Sequence, residues 1–195
     1  MLAAGISAAN AQEYINTMPL GSVVIACVNS PQSVTLSGDT DRIEQLEKLI
    51  QADKLFARKL RVQTAYHSPH MYDLADEYKE ALQCILPQEG RQGTIAMFSS
   101  VTTERVHAKD LGAAYWVQNM VSTVEFASAV SKLATMAEAR KGRRRLVPVK
   151  WGAFLEIGPH EALKGPFTQT LHSVDGSLAA LPYQGLIQRD TDAVK

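Results

Sequence analysis

GSVVIACVNSPQSVTLSGD, residues Gly21–Asp39, decides how the N-terminal part of this chain folds. Two β-branched runs, SVVIACV and SVTLSGD, flank Asn29-Ser30-Pro31-Gln32, a turn composition, so the stretch reads as a hairpin. Toward the N-terminus, Leu2–Ile6 is a short apolar strand and Ser7 caps the helix that follows it, with Gly21 closing the turn after that helix. Toward the C-terminus, Asp39 or Thr40 caps a helix in which Ile43, Leu46, Leu49 and Ile50 recur at helical spacing. FARKLRV (56–62) then reads as a fourth strand.

The resulting order over Met1–Arg61, β-α-β-β-α-β, is that of a ferredoxin-like subdomain. Beyond it the pattern changes to helices with isolated strands. Met71, Leu74, Tyr78, Leu82 and Ile85 share one face of a helix ending at Pro87. TIAMFSSV (94–101) is an apolar run of strand length, and Leu111–Lys141 carries two helices broken near Ser122-Thr123. KGRRR (141–145) is a basic loop, read either as a phosphate-binding patch or as a solvated segment. WGAFLEIGP (151–159) is a buried-type strand, His160–Leu171 a helix and Leu178–Leu181 a short strand.

A chain of 195 residues with 46% hydrophobic and 21% charged residues can bury a core. Lys+Arg and Asp+Glu both number 20, and a formal net charge of zero provides no long-range field for nucleic acid or an anionic membrane. No apolar run approaches the roughly 18 residues of a membrane span, and the N-terminus lacks the pattern of a signal peptide. Cys27 and Cys84 alone make neither a disulfide framework nor a zinc site, so no metal and a cytoplasmic setting are expected. Both ends read as cut: Met1–Ile6 begins without a preceding cap, and a helix opening at Asp190 stops at once.

The chemistry concentrates in TAYHSPHM (64–71). His67 sits at a strand-to-helix junction, where an imidazole can accept the proton of a serine hydroxyl and open a route to acyl transfer. The same position also suits a histidine that caps the following helix or packs between subdomains. His70, three residues on, competes with it, and the His-x-x-His spacing lacks a third metal ligand. His160 follows Gly158-Pro159, where the next helix N-terminus offers an anion site or simply a tight turn. No Rossmann glycine fingerprint, P-loop or G-x-S-x-G elbow is present; at Gly5-Ile6-Ser7-Ala8-Ala9, alanine stands where the elbow needs its second glycine.

In order along the chain, ACVNSPQSVTLSGD, TAYHSPHM, FSSVTTERV, YWVQNMVSTVEF, FLEIGPHEALKGP and LPYQGLIQRD together resemble the acyltransferase domain of iterative fungal-type polyketide synthases. More distantly the chain is similar to malonyl-CoA:acyl-carrier-protein transacylases. The resemblance implies an α/β fold: part of an α/β-hydrolase-like core with a ferredoxin-like subdomain inserted. Residues 1–62 would be that subdomain, 63–183 the C-terminal part of the core, and 184–195 the start of a linker. It implies a serine acylated by malonyl-CoA with a histidine as base, then transfer to the phosphopantetheine thiol of an acyl carrier protein. No resident cofactor is implied; acyl-CoA and the phosphopantetheine arm are substrates, and carrier protein and other synthase domains are partners.

By that resemblance His67 is the base. Thr64, Ala65 and Tyr66 precede it in a specificity motif, Asn29 contacts the pantetheine arm, and the Ser122 backbone carbonyl orients the imidazole. An aromatic at Tyr66 favours malonyl over methylmalonyl, because it leaves little room for an α-methyl group. The family's serine, oxyanion glutamine and carboxylate-binding arginine have no counterpart here and are expected upstream of Met1. The chain alone is therefore expected to form no acyl-enzyme. The alternatives are a non-catalytic module that docks carrier protein or a synthase domain, and a serine hydrolase lacking its elbow.

Overall fold

A computed structural model describes residues 1–87, 95–138 and 145–187. The chain divides into two compact units, Met1–Ala129 and Val130–Lys195.

In the first unit β1 (Leu2–Ala4), α1 (Ala8–Ile15), β2 (Val23–Ser30), β3 (Ser33–Gly38), α2 (Thr40–Ala52) and β4 (Ala57–Lys59) follow one another. The strands form one antiparallel sheet in the order β2-β3-β1-β4. Ser7 caps α1 by accepting from the Asn10 amide. Gly21 takes φ +78°, a left-handed conformation that glycine adopts without a Cβ penalty. Alternation along β1 and β3 sends Leu2, Ala4, Val34 and Leu36 into the core, where Ile43, Leu46 and Ile50 of α2 meet them fully buried. Leu49, expected on that face, is 39% exposed: the buried stripe is narrower than its apolar spacing indicates. Against β3, Ala26 and Asn29 of β2 are extra residues, each at a register shift.

The rest of this unit begins with a 3₁₀ turn at Pro69–Leu74 and α3 (Ala75–Ala81), where one long helix was expected. Of the expected apolar face only Met71 is buried; Leu74 and Ile85 stand exposed. The TIAMFSSV run yields only β5 (Met97–Phe98), paired with β6 (Arg105–Val106); Thr94 lies outside the described residues. α4 (Ala113–Val121) and α5 (Phe126–Ala134) break at Ser122-Thr123 as expected.

In the second unit β7 (Ala137–Glu138) pairs with β8 (Val147–Pro148). β9 (Phe154–Glu156) runs parallel to β10 (Tyr183–Gly185) and packs on α6 (Lys164–Val174), with Phe167 4.7 Å from Phe154 and 5.5 Å from Tyr183 between ring centroids. The helix begins at Lys164 rather than His160. Leu178–Leu181 is no strand: α7 (Gly176–Ala179) occupies it, nucleated by Asp175, whose carboxylate accepts from the Ser177 amide. Residues 141–144 of the basic loop and the expected helix at Asp190 lie outside the described residues, as does most of 184–195.

Candidate active site

The site is built on a strap. Where α4 ends, residues Ser122–Val124 run beside the outer edge of β2 in the parallel sense, Cys27 opposite Val124. The Val124 amide donates to the Ala26 carbonyl at 2.8 Å and the Val28 amide to the Val124 carbonyl at 2.9 Å. The Thr123 hydroxyl adds a bond to the Ile25 carbonyl at 2.8 Å. These bonds fix the Ser122 carbonyl, which lies 3.1 Å from His67 Nδ1.

A carbonyl oxygen only accepts, so Nδ1 carries the proton of the neutral ring and Nε2 is left with its lone pair. The imidazole is half-buried and its backbone lies at φ 56°, a left-handed conformation uncommon for a residue bearing Cβ. With Nδ1 so engaged and no described residue bonded to Nε2, the ring has the arrangement a general base requires.

His70, the competing histidine, is held by a carboxylate instead of a carbonyl. Its Nε2 is 2.9 Å from the Asp39 carboxylate, and Asp39, although it is the N-cap residue of α2, makes no side-chain cap bond. Among the described residues no three His, Cys, Asp or Glu side chains gather as a metal site, and no helix is long and apolar enough to cross a membrane.

Thr64 and Ala65 lead into His67 half-buried, and Tyr66 is 48% exposed. Asn29 stands apart. Its amide donates to Thr35 Oγ1 at 3.2 Å, and the strap register places Ser122 beside Ile25, four residues earlier, about 13 Å along the strand. Beside the strap, α1 and β2 enclose a groove of about 800 Å³ lined by Gln12, Val24, Ile25, Val28, Thr123 and Glu125; neither His67, Tyr66 nor Asn29 lines it.

In the second unit His160 is exposed and the anion place at the helix N-terminus is already filled from within. The Glu156 carboxylate, 8% exposed, accepts from the Leu163 amide at 3.1 Å and from the Tyr183 hydroxyl at 2.6 Å. Burial, and after it the Glu156 carboxylate, raises the Tyr183 hydroxyl's pKa well above the ordinary tyrosine value. The sequence reading missed this cluster. Its one signal is a glutamate in the middle of an apolar strand, a charge that must be partnered once buried.

Residues 2–195 match the family model of the acyl transferase domain. The chain belongs to that family. It is 60% identical over its whole length to a highly reducing polyketide synthase of Penicillium expansum and 47% identical to one of Emericella nidulans, spanning 8% of each relative's length. Among solved structures, the acyltransferase domain of module 8 of the salinomycin polyketide synthase superposes with a TM-score of 0.79 at 30% identity, over 97% of this chain and 40% of that one. The acyltransferase domain of the second salinomycin module gives 0.75 at 25% identity, over 99% and 40%. The mixed α/β fold is thus that of polyketide synthase acyltransferase domains.

Proposed function

We propose that this chain supplies the general base for transfer of a malonyl unit from coenzyme A to the phosphopantetheine thiol of an acyl carrier protein. Residues 1–62 are then the ferredoxin-like subdomain, 63–183 part of an α/β-hydrolase-like core, and 184–195 the start of a linker. The 2-3-1-4 antiparallel strand order and the parallel β9–β10 pair favour that division. One observation carries the functional reading: Nδ1 of His67 is committed to the Ser122 carbonyl, leaving Nε2 as its only basic nitrogen.

A serine outside this sequence gives its proton to Nε2 as its oxygen attacks the malonyl thioester carbon. The imidazolium returns that proton to the departing coenzyme A thiolate. In the second half the carrier thiol loses its proton to Nε2, its sulfur displaces the serine oxygen, and the serine recovers the proton. No resident cofactor enters the cycle. Tyr66 beside the base narrows the space around the acyl α-carbon and favours malonyl, and Asn29 meets the pantetheine arm. Partners are the carrier protein and neighbouring synthase domains, in the cytoplasm.

The test grafts this chain in place of the matching residues of the Penicillium expansum synthase and follows malonyl loading of carrier protein by mass spectrometry. Loading is expected, and His67→Gln lowers it at least about 10³-fold, because serine and histidine act as a unit. A His67→Gln graft that loads at the parent rate refutes the assignment. A graft that binds carrier protein without loading it supports the non-catalytic docking module instead.

A further inference from the structure

We infer that Ser68 is the positioning residue that keeps the His67 imidazole aimed at Ser122, an inference that rests on the reading of His67 as base. A left-handed backbone at a residue with Cβ persists only where neighbouring structure holds it. At His67 the holding group is the next side chain. Ser68 is 1% exposed, and its hydroxyl reaches to both sides of His67. Oγ donates to the Ala65 carbonyl at 2.6 Å, two residues before the base, and accepts from the His70 amide at 3.3 Å, three residues after it.

The Ser68 carbonyl accepts from the Met71 amide at 3.0 Å, and Pro69, with its fixed φ, stiffens the same side. The Asp39 carboxylate holds the His70 ring from outside. Capping the 3₁₀ turn requires only that Oγ accept from His70. The bond to Ala65 is additional, and it closes the backbone around His67 into a small ring. That ring sets the direction of the His67 Cα–Cβ bond, and hence whether Nδ1 meets a carbonyl 55 residues away in sequence.

The test is nuclear magnetic resonance on the 195-residue chain with ¹⁵N-labelled histidine. The wild type is expected to show His67 as one neutral tautomer protonated on Nδ1, with backbone couplings of positive φ. In Ser68→Ala the ratio of Nδ1–H to Nε2–H forms falls about tenfold, the worth of one hydrogen bond, and Ser68→Thr, which keeps the hydroxyl, restores it. Ser68→Ala with an unchanged ratio and protected β2–β3 amides overturns the inference. Should Ser68→Ala not fold, Ser68→Thr decides: a folded threonine variant with mixed tautomers overturns it. So does a wild-type spectrum with negative φ at His67 or with both tautomers populated. The tautomer is read without acyl transfer, so failure of the base assignment in the graft assay is distinguishable from failure here.

Discussion

Replacing Tyr183 by Phe removes one hydroxyl and nothing else from the second unit, which isolates the worth of its bond to Glu156. The ring stays, so its packing 5.5 Å from Phe167 is kept, and the Glu156 carboxylate retains the Leu163 amide. A hydrogen bond to an ionised acceptor contributes about 1.5–3 kcal/mol. For a chain of this length that corresponds to a drop in Tm of roughly 3–12 °C. A pH series supplies the sign. The unfolded tyrosine titrates near pH 10, and in the folded unit burial and then Glu156 raise that value. The contribution is therefore fully present below pH about 10 and lost as pH rises toward the folded value. Its slope cannot exceed about 1.4 kcal/mol per pH unit, because one hydroxyl releases at most one proton, and the partial exposure of Tyr183 narrows the pH range over which that slope acts. Urea unfolding of a Trp116→Phe background, followed by Trp151 fluorescence 6.2 Å from Phe154, reports this unit. Equal stability of Tyr183→Phe and parent at neutral pH, together with parallel alkaline losses, would refute the reasoning.

Gly38→Ala would place a Cβ 2.1 Å from the Ser22 carbonyl oxygen and 2.7 Å from Val23 Cα, both backbone. The β2–β3 hairpin cannot hold its register around that atom, and a loss of about 3 kcal/mol or more in thermal unfolding is expected. Ile43→Ala opens a cavity at a fully buried position of α2 and costs about 2–5 kcal/mol in chemical denaturation. Leu49→Ala on the same helix, at 39% exposure, costs under about 1 kcal/mol. In the grafted acyltransferase, Tyr66→Ser raises the methylmalonyl-to-malonyl loading ratio about tenfold or more, within the ~1–3 kcal/mol that one methyl group is worth; competitive loading read by mass spectrometry measures it.

The first sixty residues were legible because their information is local. Alternation, helical spacing and turn composition each act within a dozen residues, and the four strands and two helices of the small sheet follow from them. The break between α4 and α5 at Ser122-Thr123 was legible for the same reason. His67 and the Ser122 carbonyl emerged from the resemblance, not from spacing, since 55 residues separate them. Where tertiary contacts set the outcome, periodicity misled. The apolar residues after His67 lie on a 3₁₀ turn and a short helix because Ser68 and Pro69 start the turn from a left-handed residue. The start of α6 moved to Lys164 because a buried glutamate seven residues before Leu163 claims its amide. Ser68 itself looks in sequence like an ordinary cap.

The strap explains why the small sheet and His67 belong to one packed unit. β2 is an edge strand, and an edge leaves outward backbone groups that must be covered or spent on pairing. Two of them, the Ala26 carbonyl and the Val28 amide, are satisfied by Val124, and a third, the Ile25 carbonyl, by the Thr123 hydroxyl. Covering that edge places the Ser122 carbonyl, and the carbonyl selects the His67 tautomer. Strain at His67 is borne locally by the Ser68 hydroxyl, whereas the aim of its ring is set from the sheet. A perturbation of the β2 edge and one at Ser68 therefore converge on the same nitrogen, the first by moving the acceptor and the second by turning the donor.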